Sequence, residues 1–466
     1  MSALWTSREM EEATLGRAMH EFEAQGVSID TRTLKPGDLF IALKGDARDG
    51  HAFVTAALAG GAAGAMVSRI PHGADAAAPL LMVANTQRGL EDLGREGRAR
   101  SNGRIVAVTG SAGKTTAKEM LRLALGALGP AHASASSYNN HWGVPLSLAQ
   151  LPRDHAYGVF EIGMNHFGEV RTLTGFVRPE AALVTTIAAA HLEYFGSIDA
   201  IADAKAEIFE GLLAGGAAII PADNPCSTRL AARATLSGVE RILTFGESPG
   251  SDAHLLSLSE TADAWRVDAD ILGRRHSFRM GAPGAHVAHD ALATLLAVAA
   301  VEGDVAPAAE ALAAFTALKG RGARLAIPRV GGSAEIIDES YNANPASMRA
   351  ALALLGSSRP GAGGRRIAVL GDMLELGAES TSLHASLATP VEVARADLVF
   401  ACGRDMRALF DALPAGRRGA WGETSSAIAS PVVREARAGD VILVKGSLGS
   451  RMAVILDALT SGGGAQ

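Results

Sequence analysis

The strongest chemical signal in the chain is the run Thr109-Gly110-Ser111-Ala112-Gly113-Lys114-Thr115-Thr116. Apolar Ile105-Val106-Ala107-Val108 precedes it and reads as a strand. Ala117, Met120, Leu121, Ala124, Leu125 and Leu128 follow at helical spacing, and Gly129-Pro130 stops them. Strand, glycine turn, Lys-Thr and helix is the setting in which backbone N–H groups and a helix N-terminus hold phosphate. In that setting Gly110, Ser111, Ala112 and Gly113 form the cradle, Lys114 reaches the outer phosphates and Thr115 holds Mg²⁺. Val108 stands where the full phosphate-loop pattern has its first glycine, so a plain strand-to-helix turn is the competing reading.

Three isolated residues could add to that chemistry. Glu161 lies in the apolar strand Gly158-Val-Phe-Glu-Ile-Gly163; a carboxylate there needs an ion pair or a metal. His191 follows the apolar run 181–190, where a strand end would face a site, and is either a structural imidazole or a ligand. Lys205 falls on the apolar stripe Ile198, Ile201, Ile208, Leu212 of a helix that Ser197 can cap. Its ammonium either snorkels to the helix edge, pairs with a carboxylate, or is a neutral amine able to take up CO₂ as a metal-binding carbamate.

Two further polar blocks follow short strands. Asp338-Glu339-Ser340-Tyr341-Asn342-Ala343-Asn344-Pro345 comes after Glu335-Ile336-Ile337, and Lys445-Gly446-Ser447, with Arg451 beyond, comes after Val441–Val444. The first reads equally as an Asx-rich turn, the second as a capping turn with a solvated arginine.

The elements that must position these groups read as alternating strands and helices, an α/β protein with mostly parallel sheets. With 466 residues and roughly 100–200 residues per domain, three units are expected. A small α/β domain spans 1–102, in which Lys35-Pro36-Gly37-Asp38 turns into the buried strand Leu39–Leu43. A central domain with a mostly parallel phosphate-loop sheet and helices on both faces spans 103–320. A C-terminal Rossmann-like α/β domain spans 321–466, with strands Ile367–Leu370, Leu398–Ala401 and Val441–Val444 each ending in a Gly-bearing turn. The Gly-rich tail from Ser461 is expected to be disordered. A net charge of -6 without a basic block argues against nucleic-acid binding. No apolar run approaches membrane-spanning length. The 2 cysteines are far apart and the N-terminus lacks a signal-peptide pattern, so a cytoplasmic protein is expected.

Taken in order, TGSAGKTTAKEM (109–120), YNNHWGVPLSL (138–148), EIGMNHFGE (161–169), AAAHLEYFGS (188–197), the Lys205 helix, DESYNANPASM (338–348), GDMLELG (371–377) and KGSLGSRM (445–452) resemble the Mur ligase family over nearly the whole chain. The resemblance implies ATP- and Mg²⁺-dependent joining of D-alanyl-D-alanine to a UDP-muramoyl-tripeptide through an acyl phosphate, by a monomer acting on small molecules. It implies that Lys114, Thr115 and Thr116 bind ATP and its Mg²⁺, that Glu161 and His191 are Mg²⁺ ligands, and that Lys205 is carbamylated. Arg324, preferred to Arg321, and Asp338 would meet the nucleotide. Thr31, Arg32, Lys44, Asp49 and His51 would hold the UDP end, Asn139 and Asn140 the muramoyl-peptide. Asn342, Asn344, Lys445, Ser447 and Arg451 would serve the incoming substrate. At the position four after His286, where the family usually has an adenine-contacting Asn, this chain has Asp290. The rivals are a sibling ligase adding a single amino acid, a nucleotide-driven switch (for which no NKxD base-reading motif is found), and a UDP-sugar binder with a dead ATP site.

Overall fold

The computed structural model describes residues 3–45, 48–73, 75, 77–135, 138–261 and 265–461; the tail at 462–466 lies outside them. Three larger sheets follow one another along the chain.

The first sheet has the order Arg17–Ala18, Leu80–Met82, Gly64–Val67, Asp38–Ile41, Gly26–Ser28, parallel except for the Arg17–Ala18 edge. The expected Pro36-Gly37 turn is present, with Gly37 at φ +89, and all four residues of Asp38–Ile41 are buried.

The central sheet has nine strands. Seven are parallel, in the order Ala131–Ala133, Tyr157–Glu161, Arg104–Thr109, Ala181–Val184, Ala217–Pro221, Arg241–Gly246, Ala253–Glu260, and an antiparallel hairpin, Trp265–Ile271 and Arg274–Met280, completes one edge. Both faces of its middle strands are covered, so residues 105–108, Ala181–Val184 and residues 217–220 are apolar throughout, while the hairpin edge is largely polar. On one face the stripe Ala117, Met120, Leu121, Ala124, Leu125 is fully buried with the helix Ala285–Ala300. On the other, helices Glu169–Val177, Ile198–Ala206 and Ser227–Leu236 close the core. Register sets Glu161 beside Val108 and Val184 beside Thr109, so the carboxyl ends of three strands end together.

The third sheet begins with an antiparallel hairpin, Ala323–Arg329 and Gly332–Glu339, and continues parallel through Val441–Lys445, Arg366–Gly371, Leu398–Cys402 and Arg418–Gly422. Glu339 and Leu370 flank Lys445 at its carboxyl edge. No helix among the described residues is long and apolar enough to cross a membrane.

Candidate functional site

The carboxyl ends of the central and third sheets border one cleft of about 1240 Å³. The loop 110–116, expected to bind phosphate, lines it. Gly110 (φ +152) and Gly113 (φ +82) adopt backbone conformations that side chains resist, and neither has room for one. A Cβ on Gly110 would sit 1.9 Å from Thr185 Oγ1, and one on Gly113 2.7 Å from Asp290 Oδ1. Ser111 is fixed by its N–H to the Thr186 carbonyl at 2.8 Å and its hydroxyl to that of Ala188 at 3.0 Å. The helix Lys114–Gly126 starts directly at Gly113, with no side-chain cap. Its first-turn N–H groups therefore belong to an end that attracts anions.

Lys114 folds back over the loop, its Nζ donating to the Gly110 carbonyl at 2.7 Å. Burial pulls its pKa down, against the opposing pull of the Glu161 carboxylate. Thr115 Oγ1 donates to Glu161 Oε2 at 2.8 Å, and Asn139 Nδ2 donates to Oε1 at 2.7 Å. Glu161, only 1% exposed, is thus hydrogen-bonded by neutral donors, with the Lys114 ammonium near enough to feel its charge but no salt bridge to it among the described residues. A direct ion pair is therefore not what holds it; two neutral donors do. Asn140 lines the cleft as well, its carboxamide oxygen turning the chain by accepting the Gly143 N–H at 2.9 Å.

Lys205 is 1% exposed, which removes the snorkelling reading, and no carboxylate pairs with it among the described residues. Burial and then the neighbouring charge of Lys114 push its pKa well down, so the amine is held toward its neutral form. The expected Ser197 cap is present, accepting the Ala200 N–H at 3.1 Å. The helix ends at Ala206 and tightens to a 3₁₀ turn, Glu207–Gly211. Ile198 is 44% exposed and Leu212 is half-buried, so the expected stripe is fully buried only at Ile201, Lys205 and Ile208.

His191 lies beyond the strand Ala181–Val184, in a left-handed conformation (φ 61) that starts the short helix Leu192–Phe195. It lines the cleft near Lys205 and Lys114, and burial is the main cause lowering its pKa. Glu375 Oε2, from the third unit, approaches its Nδ1 to 2.5 Å. Among the described residues no three His, Cys, Asp or Glu side chains converge on one point. A hydroxyl and a carboxylate next to a phosphate cradle still suit Mg²⁺, which takes one or two carboxylates and draws its other oxygens from water and phosphate.

Asp290 stands against Gly113 at the cleft, and burial raises its pKa well above the usual carboxyl range. Asn342, Asn344 and Lys445 come to the opposite wall. Lys445 Nζ is held by Glu339 at 3.1 Å and the Asn342 carbonyl at 2.9 Å. Asp338 is buried behind this wall, accepting the Gly320 and Ser340 N–H groups at 2.8 and 3.1 Å. Ser447 is also buried, donating to the Ala343 carbonyl and accepting the Leu374 N–H at 3.0 Å. Arg451 is exposed and is not among the cleft-lining residues.

Arg324, expected to meet the nucleotide, does not line the cleft. It lies within the edge strand Ala323–Arg329, where it pairs with Glu335 at 2.8 Å and donates to Ser358 Oγ at 3.2 Å, outside the cleft. Arg321 lies in the turn before that strand, its guanidinium stacked 4.1 Å from the Tyr341 ring centroid, and it lines the cleft. Three residues decide between a turn that reaches the cleft and a strand that alternates away from it.

The first-unit candidates form a separate surface. Arg32 is clamped to Asp30, and Lys44 and Asp49 bridge as an antiparallel pair. Thr31 is part-exposed beside Asp30. His51 is 4% exposed, its Nδ1 held by Asp49 at 2.7 Å and its Nε2 by the Ser68 N–H at 2.9 Å. It supports the loop from behind. Gln87 ties this unit to the Tyr138–Leu148 block through the His141 carbonyl at 3.1 Å.

Asn224, Phe245 and Glu375 are site residues that the sequence reading did not single out. Asn224 and Phe245 sit at strand ends of the central sheet, a placement that the same strand-end logic could have flagged.

Family models match along most of the chain: the Mur ligase family catalytic domain over 23–95, the Mur ligase middle domain over 108–298 and the Mur ligase glutamate ligase domain over 323–448. A UDP-N-acetylmuramoyl-tripeptide--D-alanyl-D-alanine ligase of Escherichia coli is 36% identical over 94% of each chain. One of the same name from Bacillus subtilis is 32% identical over 85% of this chain and 84% of its own. The crystal structure of MurF from Acinetobacter baumannii superposes with a TM-score of 0.84 at 29% identity, over 98% of this chain and 99% of that one.

Proposed function

This chain belongs to the Mur ligase family, and we propose that it joins D-alanyl-D-alanine to UDP-N-acetylmuramoyl-tripeptide, converting ATP to ADP and phosphate. The observation that carries the reading is the junction of a phosphate loop and the buried Glu161 and Lys205 with groups of the third unit around one cleft. The family's ATP dependence fits that loop. Residues 1–102 would hold the UDP end, 103–320 the nucleotide and 321–466 the dipeptide.

In the reaction, the terminal carboxylate of the tripeptide attacks the γ-phosphorus and ADP leaves. The dipeptide amine then attacks the acyl phosphate carbon, loses a proton, and phosphate departs. Two anions meet in the first step. Lys114 would swing from the Gly110 carbonyl onto the outer phosphates and offset that repulsion. Mg²⁺, held by Thr115 and Glu161 with His191 nearby, would neutralise phosphate charge. Lys205 as a carbamate would carry a second Mg²⁺ site, since its depressed pKa leaves the amine free to attack CO₂. Asn139 and Asn140 would orient the tripeptide, while Asn342 and Lys445 would face the dipeptide. Enclosure between the sheets would keep water from the acyl phosphate. Arg321, stacked on Tyr341 at the cleft, takes the nucleotide-facing place first given to Arg324. The protein would work as a cytoplasmic monomer.

Product mass after incubation with single amino acids and with D-alanyl-D-alanine tests the assignment. A pentapeptide product formed only with the dipeptide supports it; a product with one amino acid added would reassign the chain to a sibling activity.

A further inference from the structure

Glu375 lies in the loop Gly371–Gly377 of the third unit, yet its contacts are with the central one. Its carbonyl accepts the Glu193 N–H at 3.0 Å, and its carboxylate reaches His191 Nδ1 at 2.5 Å. That nitrogen is buried and makes no well-aligned hydrogen bond among the described residues, so the close approach of the Glu375 carboxylate is its one polar contact there. Both members of the pair adopt left-handed backbone conformations, Glu375 at φ 63 and His191 at φ 61. Such conformations are uncommon for residues other than glycine and persist where surrounding contacts over-determine them. The next residue back, Leu374, is tied through its N–H to Ser447 at 3.0 Å. The chain therefore runs from the third unit's strand-end turn through two residues to a ring in the nucleotide cleft.

We infer that Glu375 is a positioning residue for His191: it holds the proton on Nδ1, turns the ring, and leaves Nε2 as the metal-facing nitrogen. Carboxylates behind ligating imidazoles do this in metal sites generally, fixing tautomer and orientation. Because Glu375 is supplied by the third unit, the histidine is fully oriented only while that unit stands against the central sheet. The inference rests on the metal–nucleotide reading of the cleft.

The test is Mn²⁺ binding to the full chain in the presence of ADP, followed by electron paramagnetic resonance, with thermal melting to show that each variant is folded. Glu375→Ala should bind Mn²⁺ about 10- to 100-fold more weakly. Glu375→Gln, whose side-chain oxygen still accepts from Nδ1, should stay close to the unaltered chain. Glu375→Gly tolerates the left-handed backbone and lacks the carboxylate, so it should behave like the alanine variant. Mn²⁺ binding by folded Glu375→Ala and Glu375→Gly equal to that of the unaltered chain would overturn the inference alone. Absence of Mn²⁺ binding in the unaltered chain with ADP would overturn the metal–nucleotide reading beneath it.

Discussion

Asn344 Nδ2 donates to the backbone carbonyl of Ser111 at 3.0 Å, tying the first helix of the third unit to the phosphate loop. The same side chain caps the helix Pro345–Ser357, its oxygen accepting the Ser347 N–H at 2.9 Å. One carboxamide thus serves a local fold and a contact between units, and substitutions can separate the two.

Asn344→Asp keeps the capping oxygen and loses the donor to Ser111. Its melting temperature should stay near that of the unaltered chain, while kcat/KM for ATP falls by up to about tenfold, the worth of one hydrogen bond of ~1 kcal/mol. Asn344→Ala should show the same kinetic loss plus about 1 kcal/mol of destabilisation from the lost cap. Equal kcat/KM for Asn344→Asp and the unaltered chain would detach this contact from function.

Lys114→Met removes the ammonium and keeps most of the stem. Loss of one charge aimed at the transferring group should lower kcat by roughly 10²–10³-fold. Calorimetric ATP titration should show a much smaller change, because the loop amides and helix N-terminus remain. Normal turnover at saturating ATP would contradict the role given to Lys114.

Lys205 should make activity depend on CO₂. Burial pushes its pKa well below the ordinary lysine value, which favours the neutral amine that can take up CO₂. Enzyme prepared in decarbonated buffer should lose activity and regain it on adding bicarbonate, and ¹³C-bicarbonate should give a carbamate resonance absent from Lys205→Arg. Full activity in decarbonated buffer with no resonance would leave Lys205 without that role.

How much of this was legible follows from range. The phosphate loop, its helix stripe and the Ser197 cap are local patterns, and each appears where spacing placed it. Glu161 was legible as an anomaly, a carboxylate in an apolar strand, but its partners Thr115 and Asn139 lie 46 and 22 residues away and only the fold joins them. Spacing alone does not decide between Arg321 and Arg324, because a turn and a strand start within three residues of each other and only the fold sets which of them lines the cleft. His51 is a candidate for the UDP end by resemblance alone; its burial behind Asp49 depends on Ser68, which no local pattern links to it. Glu375 was inside a quoted motif, but its role depends on a partner in another unit.

His132 gives a pH prediction independent of catalysis. It lies on the edge strand Ala131–Ala133, donates to the Ser147 carbonyl at 2.9 Å, and burial pushes its pKa down to about 4. The unfolded chain, near 6.5, binds the proton more readily, so stability is full above pH ~6.5 and falls as pH drops toward 4. The loss is on the order of 3 kcal/mol at most. Denaturant unfolding of His132→Gln should show a shallower decline between pH 6.5 and 4. Parallel curves would assign the acid limb to other groups.

The central claim, that the tripeptide carboxylate is phosphorylated before the dipeptide amine attacks, is tested most directly with ¹⁸O in that carboxylate. Mass analysis of the released phosphate should find one ¹⁸O per turnover, alongside a pentapeptide product that requires D-alanyl-D-alanine. Phosphate carrying no label, with the pentapeptide still formed, would contradict an acyl phosphate; labelled phosphate formed with a single amino acid in place of the dipeptide would contradict the substrate assignment.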